Sequence, residues 1–308
     1  MCGIVCALNV NKDSSELRKK VLEMSKKLRH RGPDWSGIYC DKNVVLAHER
    51  LAIVDPKSGK QPLFSKDERY VLAANGEIYN HKDLRNLTKS FEYQTNSDCE
   101  VIIPVYDDFE DLTPKMLDGI FSFVLYDNKL DEVLIARDPI GIIPLYYGIT
   151  KNGEIMFASE AKCLINDCDF ITVFPPGHFL KIRDINNLSN VDYDVLKEYS
   201  LIDNPISTCR VKFTKYYSPV YESLIYDTSN DVDEITSNMN TLLTRSVEKR
   251  LMTDVPYAVL LSGGLDSSLV ASITSRISAS RGEKLHSFSV GLKGAPDLLA
   301  ARKVAKFL

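Results

Sequence analysis

The distribution of short extended segments constrains the fold of this chain more than any other feature of its sequence. Between residues 37 and 182, turn residues mostly separate runs rich in β-branched and aromatic residues: GIYC, VVLAH, YVLAA, IFSFVLYD, EVLIARD, PLYYGIT, EIMFAS and HFLKI. Strands joined by short turns pair in antiparallel fashion. Helical spacing covers residues 14–30, with apolar Leu17, Val21, Met24 and Leu28, and returns from 98 to about 108. The first half is therefore predicted to contain antiparallel sheets layered with helices.

The pattern changes near residue 234, where helices begin to alternate with strands. Strand YAVLL, a glycine turn, helix SSLVASITSRI, strand HSFSV and the helix-like DLLAARKVAKFL follow one another. Such alternation implies crossover connections and a parallel sheet. We therefore expect an antiparallel domain at residues 1–185, a connector at 186–233 that lacks a sustained period, and the start of an α/β domain at 234–308.

Composition narrows the classes of function. The chain of 308 residues has 44% hydrophobic and 26% charged residues, which is typical of a globular protein. Its formal net charge of -4 provides no basic surplus for a phosphate backbone, so nucleic-acid binding is not expected. The apolar run at the chain start is too short for a membrane segment, and the odd number of cysteines indicates reduced thiols. We expect a soluble cytoplasmic protein with small-molecule partners and no membrane association.

The chain begins MCGIVCALNV, which places Cys2 directly behind the first methionine. One interpretation is a small apolar residue at the start of a buried strand, and for an isolated cysteine this is the commoner case. The other requires removal of Met1, after which Cys2 carries both a thiol and a free α-amine. That amine, with a pKa near neutrality, would act as the base that a thiol nucleophile needs.

A glycine loop in the segment YAVLLSGGLDSSLVASI is the most specific chemical signal of the second half. A predicted strand at 257–261 is followed by a turn at Gly263 and Gly264. The turn leads into a helix expected to pack through Leu269, Val270, Ile273 and Ile277. Backbone amides at the helix start, with nearby serine hydroxyls, suit a phosphate group. A plain Gly-Gly turn would be structural, but the complete string, with Asp266 placed to bind Mg²⁺, favours a phosphate loop. It lacks the lysine of a Walker loop.

Several motifs carry a family resemblance. The loop is similar to the pyrophosphate motif of ATP-pyrophosphatases, while MCGI, RHRGPD, NGEIYNH, RDPIGIIPLYYG and FASEAK resemble glutamine amidotransferases of the N-terminal-nucleophile type. Together they most resemble glutamine-hydrolysing asparagine synthetases, in order along nearly the whole chain except the connector. The resemblance implies an α+β fold, a four-layer αββα sandwich, followed by the start of a parallel-sheet ATP-pyrophosphatase domain.

The resemblance also implies roles for residues of the first domain. Cys2 would be the nucleophile, Asn75 and Gly76 the oxyanion hole, Arg50 the partner of the glutamine α-carboxylate, and Glu77 and Asp98 the partners of its α-ammonium. Each has a plainer interpretation. The Asn-Gly dipeptide is most often a hairpin turn, and a single charged residue is most often a surface ion pair or a helix cap.

In the second domain the resemblance implies that Leu260 and Val290 contact adenine. The pyrophosphate would lie on Ser262, Gly263, Gly264, Asp266, Ser267 and Ser268, with Asp266 as a Mg²⁺ ligand. The implied reaction joins aspartate to ammonia from glutamine. It proceeds through a glutamyl thioester on Cys2 and a β-aspartyl-AMP, with ammonia crossing an internal channel. The expected partners are glutamine, aspartate and ATP, and the resemblance leaves room for a homodimer.

One departure from the family concerns length. The sequence stops 42 residues past Asp266, before a second loop of the Ser-Gly-Glu-Gly type and before the aspartate site. The alternative expectation is therefore a glutaminase-only fragment or a regulatory glutamine hydrolase. A catalytically silent binding protein is disfavoured, since Cys2, Arg50 and Asn75 are all present.

Overall fold

Two compact units make up the protein, Met1–Ser223 and Leu224–Leu308. The structure is a computed structural model that describes residues 1–8, 14–185, 211–219, 221 and 231–308. The predicted connector at 186–233 therefore lies mostly outside the described residues.

The first unit contains two six-stranded sheets in which every neighbouring pair of strands is antiparallel. The first sheet has the order β10-β8-β9-β1-β3-β2 and the second β12-β11-β7-β6-β5-β4. The strands are β1 (Gly3–Leu8), β2 (Trp35–Cys40), β3 (Val44–Arg50), β4 (Leu63–Phe64), β5 (Tyr70–Ile78), β6 (Gly119–Asp127), β7 (Glu132–Arg137), β8 (Tyr146–Thr150), β9 (Ile155–Ala158), β10 (Cys168–Val173), β11 (His178–Arg183) and β12 (Val211–Lys215).

Helices cover the outer faces of both sheets. They are α1 (Ser14–Lys26), α2 (His81–Leu87), α3 (Ile102–Phe109) and α4 (Thr113–Met116), with short 3₁₀ turns at Asp98–Val101, Glu110–Leu112 and Ala161–Cys163. The apolar stripe of α1, formed by Leu17, Val21, Met24 and Leu28, packs on the first sheet as its spacing predicts. Residues of α3 pack on the outer face of the second sheet. The layer order is helix, sheet, sheet, helix, which confirms the predicted αββα sandwich.

A third cluster fills the space between the sheets, and strand alternation explains which residues enter it. On β1 the inward residues are Ile4, Cys6 and Leu8, and on β5 they include Val71 and Ala73. At one end of the sandwich the same inward series becomes polar. The inward positions there are Cys2, His48, Arg50, Asn75, Ser122, Arg137 and Ser159, all of them buried. This polar end is where a site is expected.

The second unit consists of α5 (Val232–Lys249), β13 (Ala258–Leu260), α6 (Leu265–Ser280), β14 (His286–Phe288) and α7 (Pro296–Phe307). The two strands pair in parallel, which confirms the predicted α/β arrangement. The predicted packing of α6 is partly wrong. Ile273 is buried, but Leu269 and Val270 are exposed, because a sheet of two strands covers only one flank of the helix within this unit.

Candidate active site

A narrow cavity of about 40 Å³ lies at the polar end of the sandwich. The six residues proposed for glutamine chemistry, which come from four separate segments of the chain, all line it: Cys2, Arg50, Asn75, Gly76, Glu77 and Asp98. Met1, Leu51, Gln61 and Cys99 also contribute to its wall, and of these four the sequence points only to Met1, as the residue removed to free the α-amine of Cys2.

Cys2 is only 8% exposed, and its sulfur contacts the backbone of the residue after Arg50. The Leu51 N–H donates to the Cys2 Sγ at 3.4 Å, and the thiol lies 3.6 Å from the Leu51 carbonyl oxygen. Arg31 Nε donates to the Cys2 carbonyl oxygen at 2.9 Å, which holds the start of β1 in place. Burial raises the pKa of the Cys2 thiol, so a base is needed to form the thiolate.

Asn75 and Gly76 lie within β5, where they pair with Ser122 and Phe121 of β6. The interpretation of this dipeptide as a hairpin turn is therefore wrong, because the strand continues through it to Ile78. A Cβ atom on Gly76 would lie 2.1 Å from the Ile120 carbonyl oxygen. The close approach of β6 thus requires glycine at this position.

Two side chains hold the backbone of Ala74, the residue that precedes Asn75. The Ala74 N–H donates to Gln61 Oε1 at 2.7 Å, and the Ala74 carbonyl oxygen lies 2.9 Å from His48 Nε2. Because a carbonyl only accepts, Nε2 of His48 carries the ring proton. Burial lowers the pKa of His48 to about 4, so the ring is neutral at pH 7. Neither His48 nor Gln61 had been assigned a role from the sequence, since both act through contacts distant in the chain.

Arg50 combines a structural task with its position at the cavity. Its Nη2 donates to the carbonyl oxygens of Val54 at 3.0 Å and Asp55 at 2.6 Å, and its Nη1 donates to that of Pro56 at 3.3 Å. A guanidinium has five N–H groups, so donors remain for an anion after these three bonds.

Two carboxylates complete the ionic groups of the cavity. Asp98 Oδ2 accepts the Ile78 N–H at 2.8 Å, and burial raises the pKa of this carboxyl group. Glu77 lies at the end of β5 and is half-buried. The cavity lining therefore includes one cationic side chain and two acidic side chains beside a thiol, which suits the two charged ends of an amino acid.

In the second unit, β13 leads into the loop before α6. The hydroxyl oxygens of Ser262 and Ser267 are 2.9 Å apart, and Ser268 Oγ donates to the Gly264 carbonyl oxygen at 2.7 Å. Gly263 has a φ of +83°, and a Cβ atom there would lie 2.4 Å from the Ala301 nitrogen of α7. Gly264 caps α6 without a side chain. The loop thus brings four of the residues predicted to bind pyrophosphate into mutual contact.

The other predicted nucleotide residues lie at the open edge of this unit. Leu260 ends β13, Val290 lies two residues beyond β14, and both are exposed. Asp266 is a single exposed carboxylate in the first turn of α6. Among the described residues no group of three or more His, Cys, Asp or Glu side chains is placed to hold a metal ion. Asp266 therefore fits Mg²⁺ only together with phosphate oxygens, a common arrangement for this ion.

Comparison with known proteins adds a second line of evidence. Residues 1–193 match the model of the glutamine amidotransferase domain. The chain belongs to the glutamine amidotransferase family. Residues 238–308 of this amidotransferase also match the asparagine synthase model, which covers most of the second unit.

The amidotransferase chain is similar to asparagine synthetases along its whole length. It is 44% identical to the glutamine-hydrolysing asparagine synthetase of Zea mays, covering all of this chain and 49% of the relative. It is 43% identical to a probable asparagine synthetase of Dictyostelium discoideum, covering all of this chain and 53% of the relative. The chain thus spans about half the length of these curated relatives.

Among solved structures, the glutamine phosphoribosylpyrophosphate amidotransferase of B. subtilis, complexed with ADP and GMP, shares the fold. The TM-score is 0.52 at 16% identity, over 94% of this chain and 65% of that one. This likeness supports the predicted fold of the amidotransferase. In the described part of the chain, the helices are too short or too polar to span a membrane.

Proposed function

We propose that the chain hydrolyses glutamine at Cys2 and, as part of an asparagine synthetase, supplies the ammonia for ATP-dependent asparagine synthesis. The observation that carries the proposal is the convergence of Cys2, Arg50, Asn75, Glu77 and Asp98, with Gly76, on one cavity. Arg50 would bind the glutamine α-carboxylate, and Glu77 and Asp98 would bind the α-ammonium.

Removal of Met1 is part of this proposal for two reasons. Met1 forms part of the cavity wall, so its loss would widen the space for substrate. Its loss would also move the α-amine onto Cys2, beside the thiol. Burial lowers the pKa of the α-ammonium of Met1. Similar burial of the α-amine of Cys2, after loss of Met1, would favour its neutral form, which can accept the proton of the thiol.

The thiolate of Cys2 would then attack the side-chain carbonyl of glutamine. Asn75 Nδ2 and the Gly76 N–H would stabilise the oxyanion, and each such donor contributes about 3 kcal/mol. Collapse of the tetrahedral intermediate would release ammonia and leave a glutamyl thioester. Water would cleave the thioester and regenerate the thiol of Cys2.

The second unit would bind ATP, with pyrophosphate on Ser262, Gly263, Gly264, Ser267 and Ser268. Asp266 would bind Mg²⁺ together with the phosphate oxygens of the nucleotide, and this ion would offset the negative charge of the phosphates. Leu260 and Val290 would contact adenine. The β-carboxylate of aspartate would attack the α-phosphate of ATP, which releases pyrophosphate and forms β-aspartyl-AMP. Ammonia would then displace AMP and form asparagine. We keep as an alternative that residues 1–308 by themselves perform only the glutaminase step.

Two measurements test the proposal. Intact mass spectrometry should show a chain without Met1. Hydrolysis of glutamine to glutamate should vanish in Cys2→Ala and persist in Cys40→Ala, a matched change at a half-buried thiol of β2. A chain that hydrolyses glutamine without Cys2 would contradict the proposed nucleophile.

The synthetase step needs its own assay. Formation of AMP and asparagine from ATP, aspartate and glutamine would support the complete reaction, whereas glutamate formation alone would support the glutaminase alternative. The proposal also places the protein in the cytoplasm as a homodimer. Light scattering tests the dimer, and fractionation of cells tests the location.

A further inference from the structure

The side chain of Ser159 connects the start of β1 with Asn75. The Ser159 N–H donates to the Ile4 carbonyl oxygen at 3.0 Å, and the Ile4 N–H donates to Ser159 Oγ at 2.9 Å. The same Oγ lies 3.5 Å from Asn75 Nδ2. Ser159 and Asn75 are both fully buried, so their polar atoms need partners in the protein or in a bound ligand.

The hydrogen-bonding capacity of these two residues is unevenly used. Ser159 Oγ already accepts from Ile4, and 3.5 Å is long for an N–H···O bond. Asn75 Oδ1 has no hydrogen-bond partner among the residues that the structure describes. A buried acceptor without a donor costs about 1–3 kcal/mol.

Exchanging the positions of Oδ1 and Nδ2 gives the hydroxyl proton of Ser159 an acceptor and puts a donor in place of the unpartnered acceptor. The oxygen and nitrogen of an asparagine amide have nearly the same shape, and their positions are decided by the hydrogen-bond network. After a half-turn of the carboxamide, the Ser159 hydroxyl donates to Oδ1. Nδ2 then takes the place of the unpartnered atom, with N–H groups that no described protein atom accepts.

We propose that Ser159 is a positioning residue that orients the Asn75 carboxamide, with Oδ1 on the Ser159 hydroxyl and Nδ2 free to donate to a ligand. The inference rests on the proposed glutamine hydrolysis, because the ligand of Nδ2 would be the oxyanion. Ser159 thereby couples the geometry of β1, which carries Cys2, to the donor on β5.

The chain offers a matched control across the strand pair. Ser122 faces Asn75 on β6, is fully buried, and its Oγ has no partner within the described residues. Ser159→Ala and Ser122→Ala thus remove the same atom beside the same asparagine. Only the first removes a contact to its amide.

The test measures kcat and KM for glutamine hydrolysis by the 308-residue chain. In Ser159→Ala, Asn75 Oδ1 loses the hydroxyl donor that holds the carboxamide in the proposed orientation. We therefore expect kcat to fall about tenfold or more. KM should stay within about threefold, because Arg50, Glu77 and Asp98 are unchanged. Ser159→Thr keeps the hydroxyl and should restore most of kcat, and Ser122→Ala should retain it.

A double-mutant cycle with Asn75→Ala separates orientation from general damage. If Ser159 acts through Asn75, adding Ser159→Ala to Asn75→Ala should lower kcat no further. Equal kcat in Ser159→Ala and wild type, or full additivity in the cycle, would overturn the inference. A wild-type chain without hydrolysis, or hydrolysis that survives Cys2→Ala, would instead refute the proposed function. Melting temperatures identify variants that fail to fold.

Discussion

The sulfur of Cys2 lies 3.4 Å from the backbone nitrogen of Leu51, the residue that follows Arg50. Residues on adjacent strands thus place the candidate nucleophile beside the candidate carboxylate-binding residue. Their separation is set by the pairing of β1 with β3, in which Gly3 faces Glu49. A substrate held by Arg50 would consequently meet a thiol whose position is fixed by the sheet.

Arg50→Lys should raise KM for glutamine more than it lowers kcat. Lysine keeps the charge but loses the planar fork, and loss of a charge-assisted bond of about 1.5–3 kcal/mol corresponds to roughly tenfold to hundredfold in KM. The control is Arg183→Lys, at an exposed residue of β11 that pairs with Glu132. Steady-state kinetics check both, and an unchanged KM in Arg50→Lys would remove Arg50 from the binding site.

Asp98→Asn should weaken glutamine binding and flatten its pH dependence. Burial raises the pKa of Asp98, so protonation begins at a higher pH than for an ordinary aspartate, and KM of the wild type should rise as the pH falls. Asparagine can still accept the Ile78 N–H, which preserves the local fold. Glu100→Gln is the control, since Glu100 is buried nearby and accepts the backbone N–H groups of Gln94 and Thr95. A KM profile in Asp98→Asn that still follows the wild type would contradict this role.

Gly263→Ala should disrupt the second unit, whereas Gly264→Ala should be tolerated. At Gly263 the backbone has a φ of +83°, and an added Cβ atom would lie 2.4 Å from the Ala301 nitrogen. The resulting strain costs about 3 kcal/mol. A Cβ atom at Gly264 meets only Ser262 Oγ at 3.5 Å, which is ordinary contact. Hydrogen exchange of α7, followed by mass spectrometry, should show faster exchange in Gly263→Ala alone. Equal protection in the two variants would mean that the loop adapts.

The buried His48 should make the protein less stable on acidification. The pKa of His48 falls from 6.5 in the unfolded chain to about 4 in the folded protein. Between these two pH values the unfolded chain is protonated at His48, whereas the folded protein is not. The free energy of unfolding should therefore decrease from pH 6.5 towards 4, by at most about 3 kcal/mol from this group. His48→Gln keeps a donor for the Ala74 carbonyl oxygen but has no titrating ring. The free energy of unfolding of this variant should therefore depend less on pH between 6.5 and 4. Urea unfolding at several pH values measures it, and identical slopes would refute the assignment.

The helix α1 and the antiparallel strands were predictable from local pattern, through four apolar residues at helical spacing and strand-like runs separated by turn residues. The four-layer order of the sandwich was implied only by the family resemblance. The short α2 and β4 were missed, since seven and two residues carry little local signal. β12 was also missed. Its segment lies within the predicted connector, and its pairing with β11 is a contact between distant parts of the chain.

The site was predictable only where motifs carry it. Cys2, Arg50 and Asp98 were selected through resemblance, and the structure gathers them around one cavity. The dipeptide at Asn75 and Gly76 would have been placed in a turn by local preference, which the pairing with β6 overrides. Ser159 lies within the FASEAK motif, but neither it nor His48 is given a role by the sequence, because their partners are 155 and 26 residues away along the chain.

The change from apolar to polar residues along the inward faces of β3, β5, β6 and β7 has an evolutionary consequence. The apolar portion can maintain the framework while side chains around Cys2 are exchanged for others. Filling that end with hydrocarbon would yield a more heat-resistant but inert protein, since buried polar groups reduce stability. If the proposed hydrolysis is the function of the site, selection for turnover keeps the sandwich from its most robust form.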